Sequence, residues 1–133
     1  MGLFNVKNGN RCFGCGKENE CGFQLDFELD AEGRLSTRFR PRENHGGWEG
    51  IFHGGLMATL LDEVMLACLY RRGIDAATAS LEVRFREPVR IGEELEVEAW
   101  ETGRKGRLYE MKAEARRGGV LVAQGSAKCL KVG

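Results

Sequence analysis

The apolar residues of this 133-residue chain change period twice. Phe23, Leu25, Phe27 and Leu29 alternate with Gln24, Asp26, Glu28 and Asp30, the rhythm of a half-buried strand. Asp30-Ala31-Glu32-Gly33 makes a turn. Leu35, Thr37 and Phe39 then alternate with Ser36, Arg38 and Arg40 up to Pro41, so the two runs predict a hairpin. Residues 42–52 are polar and glycine-rich, too irregular for either period. From Gly54 to about Arg72 the spacing becomes three and four, through Met57, Leu60, Leu61, Val64 and Cys68, and Leu56, Met65, Leu66 and Leu69 widen the stripe. This predicts a long helix, apolar around most of its circumference. Arg71 and Arg72 suit its C-terminal dipole and Gly73 ends it.

Period two returns afterwards. Leu81, Val83 and Phe85 alternate with Glu82, Arg84 and Arg86 before Pro88. Leu95, Val97 and Ala99 alternate with glutamates; Tyr109, Met111, Ala113 and Ala115 alternate with charged residues; Leu121, Ala123, Ala127 and Cys129 share one face of a last strand. Turns fall at Gly92-Glu93, at residues 102–107 and at Gly118-Gly119, the last being the clearest two-residue hairpin signal. The predicted order is ββαββββ, an α+β fold. Short turns make neighbouring strands antiparallel, and one nearly all-apolar helix must be covered on most sides. An antiparallel sheet wrapped around one long central helix does this. Residues 1–22 read as a lead-in segment and 23–133 as the domain.

Composition narrows the function. Twenty basic and twenty acidic residues cancel, which argues against a nucleic-acid binder or a membrane-surface protein. No apolar run approaches a membrane span. The N-terminus lacks the basic start and apolar core of a secretory signal, and Val6 stands where a myristoylation motif needs Ser or Thr. The expected localisation is cytoplasmic. Five cysteines, an odd number, fit reduced thiols.

The candidate chemistry sits in the helix. "HGGLMATLLDEVM" (53–65) places Asp62 among Ala58, Thr59, Met65 and Leu66 at helical neighbour positions. Burying an unpaired carboxylate is costly, so such a group has a partner, a raised pKa or a task. The competing reading is an acid exposed on the helix or paired with an arginine. Glu63 faces another direction and reads as structural, pairing with a nearby arginine.

An HGG-opened helix with an acid nine residues on, between a hairpin and four strands, resembles the hotdog fold. It is most similar to the acyl-CoA thioesterases of that superfamily, of the phenylacetic-acid-degradation type. "TASLEVRFREPVRIGEELEVEA" (78–99) and "CFGCGKENECGFQL" (12–25) add to the resemblance, which spans roughly residues 21 to 131. It implies hydrolysis of an acyl-CoA thioester, with the Gly54 and Gly55 amides polarising the carbonyl. Asp62 is the implied base or nucleophile, and Thr78, with Ser80 second, the residue positioning the acid or the water. Where some relatives carry a loop asparagine, this chain has Gly47, with Asn44 and His45 upstream. Gly54, Asn44, His53 and Ser80 are the expected substrate contacts. No cofactor and no metal is implied.

A helix start offers unpaired N–H groups and partial positive charge, and glycines there admit close approach of a substrate oxygen. The alternative is that both glycines merely fit a tight entry. His53 has two readings, a substrate contact or a helix-entry residue bonded to backbone. His53 and Asp62, nine residues apart, lie about 13 Å apart along the axis and roughly half a turn out of phase. One helix cannot bring both ends of that span to one carbonyl, whereas two antiparallel helices across a twofold axis can. The expected state is therefore a homodimer or a dimer of dimers with shared sites. A non-catalytic acyl-CoA-binding hotdog module, a ligand sensor, is the alternative function, and a hydratase or dehydratase is poorer for lack of an acid and His pair near one loop.

Cys12-x-x-Cys15 with Cys21 resembles part of a zinc site, but no fourth Cys or His lies in the usual window, and His45 or His53 completes it only through the fold. The favoured reading is a turn with free thiols. Cys68 and Cys129 read as core. Basic residues in "GRKGR" (103–107) and at Arg71, Arg72, Arg84, Arg86 and Arg90 are either coenzyme A phosphate contacts or solvated faces.

Overall fold

Apolar positions at three- and four-residue spacing form one helix, α1 (Gly54–Tyr70), in the computed structural model, which describes residues 11–132. Residues 1–10 of the expected lead-in, Val6 among them, lie outside the described residues. Met57, Leu60, Leu61, Val64, Met65, Cys68 and Leu69 of α1 are buried. Past Arg71 the chain turns at Gly73 (φ 81°), where the Ile74 N–H reaches back to the Leu69 carbonyl at 3.0 Å.

Six antiparallel strands cover the helix: β1 (Glu28–Leu29), β2 (Leu35–Phe39), β3 (Ala76–Phe85), β4 (Leu95–Lys105), β5 (Leu108–Arg117) and β6 (Val120–Lys131). They form one sheet in the order β1-β2-β4-β5-β6-β3. A 3-10 turn, Glu43–His45, precedes the helix. This is the antiparallel sheet around one helix that the residue pattern predicts, and the hotdog fold that the resemblance implies. Gly118 and Gly119, both at positive φ (55° and 85°), make the tight β5–β6 connection, the backbone a two-residue hairpin requires. Gly125 of β6 faces the helix, where a Cβ would stand 3.4 Å from the Leu61 Cβ, so the sheet approaches α1 closely there.

Two departures from the expected elements matter for the site. The first strand is two residues long, although Phe23 and Leu25 are buried as their alternation predicts. Gln24 has φ 55°, and the amides of Phe23 and Leu25 donate to Phe13 and Gly14 carbonyls at 2.7 and 3.0 Å instead of to β2. The segment from Arg11 to Leu25 is thereby fastened on itself, and Phe13 meets Phe23 edge-on at 5.0 Å. The second departure is a bulge in β3. Its pairing with β6 shifts between Thr78 and Ser80, leaving Ala79 without a partner.

β3 is an edge strand, and its apolar residues are incompletely covered. Leu81 is 40% and Phe85 58% exposed. These two pair with Ala127 and Ala123 of β6, both buried, so they lie on the helix-facing side of the sheet yet remain open.

Candidate functional site

The helix start is built by His53. Its backbone is extended (φ −60°, ψ 129°), and its Nδ1 accepts the Gly55 N–H at 2.9 Å. This is an N-cap made by an imidazole in place of the usual hydroxyl or carboxylate. The Gly55 amide, expected to face substrate, is thus already engaged. The Gly54 N–H has no acceptor among the described residues. Gly54 and Gly55 are both exposed, so the bare amide at the positive end of the helix dipole faces open space. A Cβ on Gly54 would meet the Phe85 ring at 3.7 Å, an ordinary contact. A Cβ on Gly47 would crowd the His53 ring at 3.0 Å and its Cα at 3.2 Å, so the imidazole fills the place where a loop side chain would stand.

An open cleft of about 730 Å³ lies before the helix, between the Gly47–Glu49 loop and His53-Gly54. Trp48 lines it and is 80% exposed. The sequence signal for it is a tryptophan that follows a glycine pair in a polar loop. Asp62 does not line this cleft.

Asp62 sits two turns further along, half-buried. Thr78 Oγ1 donates to its Oδ1 at 2.6 Å. Thr78 pairs with the buried Cys129 in register, which puts it on the helix side of the sheet. The Cys129 thiol is pushed up to about 11, first by burial and then by the Asp62 charge, against a hydrogen bond with Thr78. It stays protonated at neutral pH and is no nucleophile.

Three expected positions fall elsewhere. Ser80 pairs with Lys128, which is exposed, and so points outward, because the bulge at Ala79 separates its face from that of Thr78. Asn44 sits on the 3-10 turn with its side-chain amide on the Glu20 carbonyl at 3.4 Å. Glu63 pairs with no arginine among the described residues; instead it lies beside Cys12 Sγ at 3.6 Å. Burial raises its pKa, the Cys12 contact opposes the rise and Asp62 adds to it. The chain therefore turns its two adjacent acids to different neighbours.

His45 is core, not a ligand. Its ring packs against Phe23, Phe39 and Phe52 at 5.3, 5.4 and 6.4 Å. Its Nδ1 accepts the Arg42 N–H at 3.0 Å and its Nε2 faces the Cys21 carbonyl at 2.8 Å, so both nitrogens are used. Two candidate arginines are also occupied: Arg72 and Arg104 hold Glu101 at 2.9 and 3.1 Å.

The chain matches the thioesterase superfamily over residues 49–123, more than half its length, and belongs to that family. It is 28% identical over 96 residues to mouse (Mus musculus) acyl-coenzyme A thioesterase 13, covering 69% of each chain. Among solved structures it resembles a hypothetical thioesterase from Streptococcus pneumoniae determined with coenzyme A, at 15% identity and TM-score 0.77, covering 82% of this chain and 89% of that one. That protein has also been determined with an aspartate and, sixteen residues later, a threonine each replaced by alanine. A variant of the phenylacetic acid degradation protein PaaI from Thermus thermophilus is 24% identical with TM-score 0.73, covering 81% of this chain and 93% of that one. No helix among the described residues is long and apolar enough to cross a membrane.

Proposed function

We propose that this protein hydrolyses an acyl-CoA thioester to a free acid and coenzyme A, at a site shared between two subunits. The observation that carries the reading is the Thr78–Asp62 hydrogen bond at 2.6 Å, which fixes one carboxylate oxygen and leaves Oδ2 for reaction. Asp62 Oδ2 either takes a proton from the attacking water or attacks the carbonyl itself. In both routes the thioester oxygen gains charge and the coenzyme A thiolate leaves. The developing oxyanion is met by the helix-start amides. Gly54 N–H is the donor at hand, while Gly55 donates once His53 turns aside.

The shared site rests on two supports. About 12 Å of helix separates the bare Gly54 amide from Asp62, and the cleft at the helix start lacks the acid. Leu81 and Phe85 flank the same side of α1 uncovered, an apolar strip suited to a second copy. The fold likeness to PaaI supports the phenylacetic-acid-degradation branch within this reading, and the relative at 28% identity supports acyl-CoA as the substrate class. The aspartate and threonine altered in the streptococcal protein are sixteen residues apart, the separation of Asp62 and Thr78, which favours the same pair here.

The test is hydrolysis of acyl-CoA substrates of graded chain length, wild type beside Asp62→Asn. Hydrolysis by the wild type, lost in the variant, supports the reading. Tight acyl-CoA binding without turnover by the wild type identifies a ligand sensor instead. A single turnover in ¹⁸O-water separates the two routes, because water attack labels the product acid directly.

A further inference from the structure

The N-terminal segment and the middle of α1 meet at a group of donors that the hydrolytic reading does not use. Cys12 Sγ, Cys15 Sγ and a Glu63 carboxylate oxygen all lie within 4.8 Å of one another, and all three residues are half-buried. Cys12 lies 3.6 Å from Glu63 Oε1 across fifty-one residues of chain. No lysine or arginine among the described residues forms an ion pair with Glu63, so its charge has no countercharge at contact distance. Such a carboxylate is costly in a half-buried setting.

The loop between the cysteines is shaped around the carboxylate. Gly14 lies directly over it: a Cβ there would come 2.1 Å from Glu63 Cδ and 2.6 Å from Oε1. A side chain at position 14 would fill the space that lets the carboxylate reach the two sulfurs. The loop is also held in place. Gly16 N–H returns to the Cys12 carbonyl at 2.8 Å, and Phe13 and Gly14 carbonyls accept from Phe23 and Leu25. Two cysteines at Cys-x-x-Cys spacing on a closed turn, with a third donor from a distant helix, have the layout of a metal site more than of free thiols.

We propose that Cys12, Cys15 and Glu63 bind a thiophilic divalent cation, zinc by the donor set, in a site that clamps the N-terminal segment onto α1. Two thiolates and a carboxylate suit a tetrahedral ion with its fourth position taken by water. At Zn–S of about 2.3 Å the two sulfurs of such a site stand about 3.8 Å apart, and the present donor atoms already lie within 4.8 Å of one another. Binding releases the two thiol protons to solvent, and the ion supplies the positive charge that Glu63 lacks. Neither histidine contributes: both nitrogens of His45 are occupied, and His53 Nδ1 caps the helix. The ion is remote from the hydrolytic chemistry in role, since Asp62 faces Thr78 and not this group.

The experiment is a Co²⁺ titration of the full chain, purified under reductant in metal-free buffer. One Co²⁺ per chain is expected, with an intense near-ultraviolet thiolate-to-cobalt band, displaced by Zn²⁺. Cys12→Ser and Cys15→Ser should abolish the band. Glu63→Gln, which keeps the shape of the side chain, should retain the band and weaken Co²⁺ at least tenfold. The melting temperature should rise with Zn²⁺ and fall back with a chelator, in wild type but not in Cys15→Ser. A reduced wild type that gives no charge-transfer band overturns the proposal. So does Co²⁺ affinity unchanged in Glu63→Gln, and so does a Cys12–Cys15 disulfide that persists under reductant. These readouts do not depend on acyl-CoA hydrolysis, so failure of either idea leaves the other standing.

Discussion

The Thr78 hydroxyl donates to Asp62 Oδ1 at 2.6 Å, joining the middle of α1 to the start of β3. A hydrogen bond to a charged group contributes about 1.5–3 kcal/mol. If Thr78 orients the reacting carboxylate, Thr78→Val lowers kcat by about ten- to a hundred-fold, and Thr78→Ser recovers most of it. Asp62→Asn lowers kcat by about 10²- to 10⁴-fold, the usual worth of a general base. Steady-state kinetics on one acyl-CoA, with circular dichroism to verify folding, checks both. A Thr78→Val enzyme with unaltered kcat would remove threonine from the mechanism.

Ser80 makes the complementary case. It faces outward beside Lys128, so Ser80→Ala should leave kcat and KM within about twofold of wild type and change stability by less than about 0.5 kcal/mol. A large loss of activity would mean that β3 pairs differently at its bulge.

Gly54 permits an unusually clean removal of one N–H. It is the first residue of α1 and follows a residue at φ −60°, ψ 129°, the conformation preferred before proline. Proline at this first helical position is tolerated and lacks only the amide proton. Gly54→Pro should therefore fold yet lose about 10²- to 10³-fold in kcat, the cost of one oxyanion donor. Gly54→Ala, whose Cβ has ordinary room beside Phe85, should stay within a few-fold. Equal effects of the two substitutions would argue for crowding and against a lost donor.

Mixed dimers test the shared site. Chains carrying Asp62→Asn and chains carrying Gly54→Pro are each inactive alone. Co-expressed, half of the random dimers are hetero, and each of these assembles one intact site from opposite chains. Activity should return to about a quarter of wild type for a twofold-symmetric enzyme. No gain over the separate variants would place the whole site in one chain.

His45 sets a pH dependence of stability. Burial lowers its pKa from the usual 6.5; the Cys21 carbonyl opposes this and the Arg42 charge adds to it. The unfolded chain then binds a proton at higher pH than the folded one, so stability rises with pH across that window. It is intact above about 6.5 and declines as pH falls toward the folded pKa. Melting curves from pH 7.5 to 5.0 should show this decline in wild type and a shallower one in His45→Gln, which starts less stable. The raised carboxyl of Glu63 acts in the opposite sense in both proteins, so the difference between the two curves isolates the imidazole.

Element order was legible because periodicity reports burial, and burial here follows one helix and one sheet. The first strand was misjudged for the same reason. Phe23 and Leu25 are buried, but alternation does not say which backbone satisfies their amides, and the partners are Phe13 and Gly14. Asp62 and Thr78 were legible as a pair through the family pattern. The neighbours of Glu63 were not: its contact with Cys12 spans fifty-one residues, and no local period encodes it. His45 was equally hidden, since a polar residue in a glycine-rich loop gives no hint of an aromatic cage. Ser80 entered through the family pattern alone; alternation puts it on the outward face with Glu82 and Arg84, where it lies, and the inward turn of Thr78 comes from a bulge that alternation does not show.

That single unpaired residue, Ala79, divides the labour of β3. On one side of it the strand presents the Thr78 hydroxyl to Asp62. On the other it presents Leu81, Val83 and Phe85 to the space beside the helix. An unbroken strand would have to give the same face to Ser80, Glu82 and Arg84. With the extra residue, the apolar wall and the Thr78 hydroxyl can change independently of each other, so that under the proposed hydrolysis new acyl groups are open to this scaffold without renegotiating its chemistry.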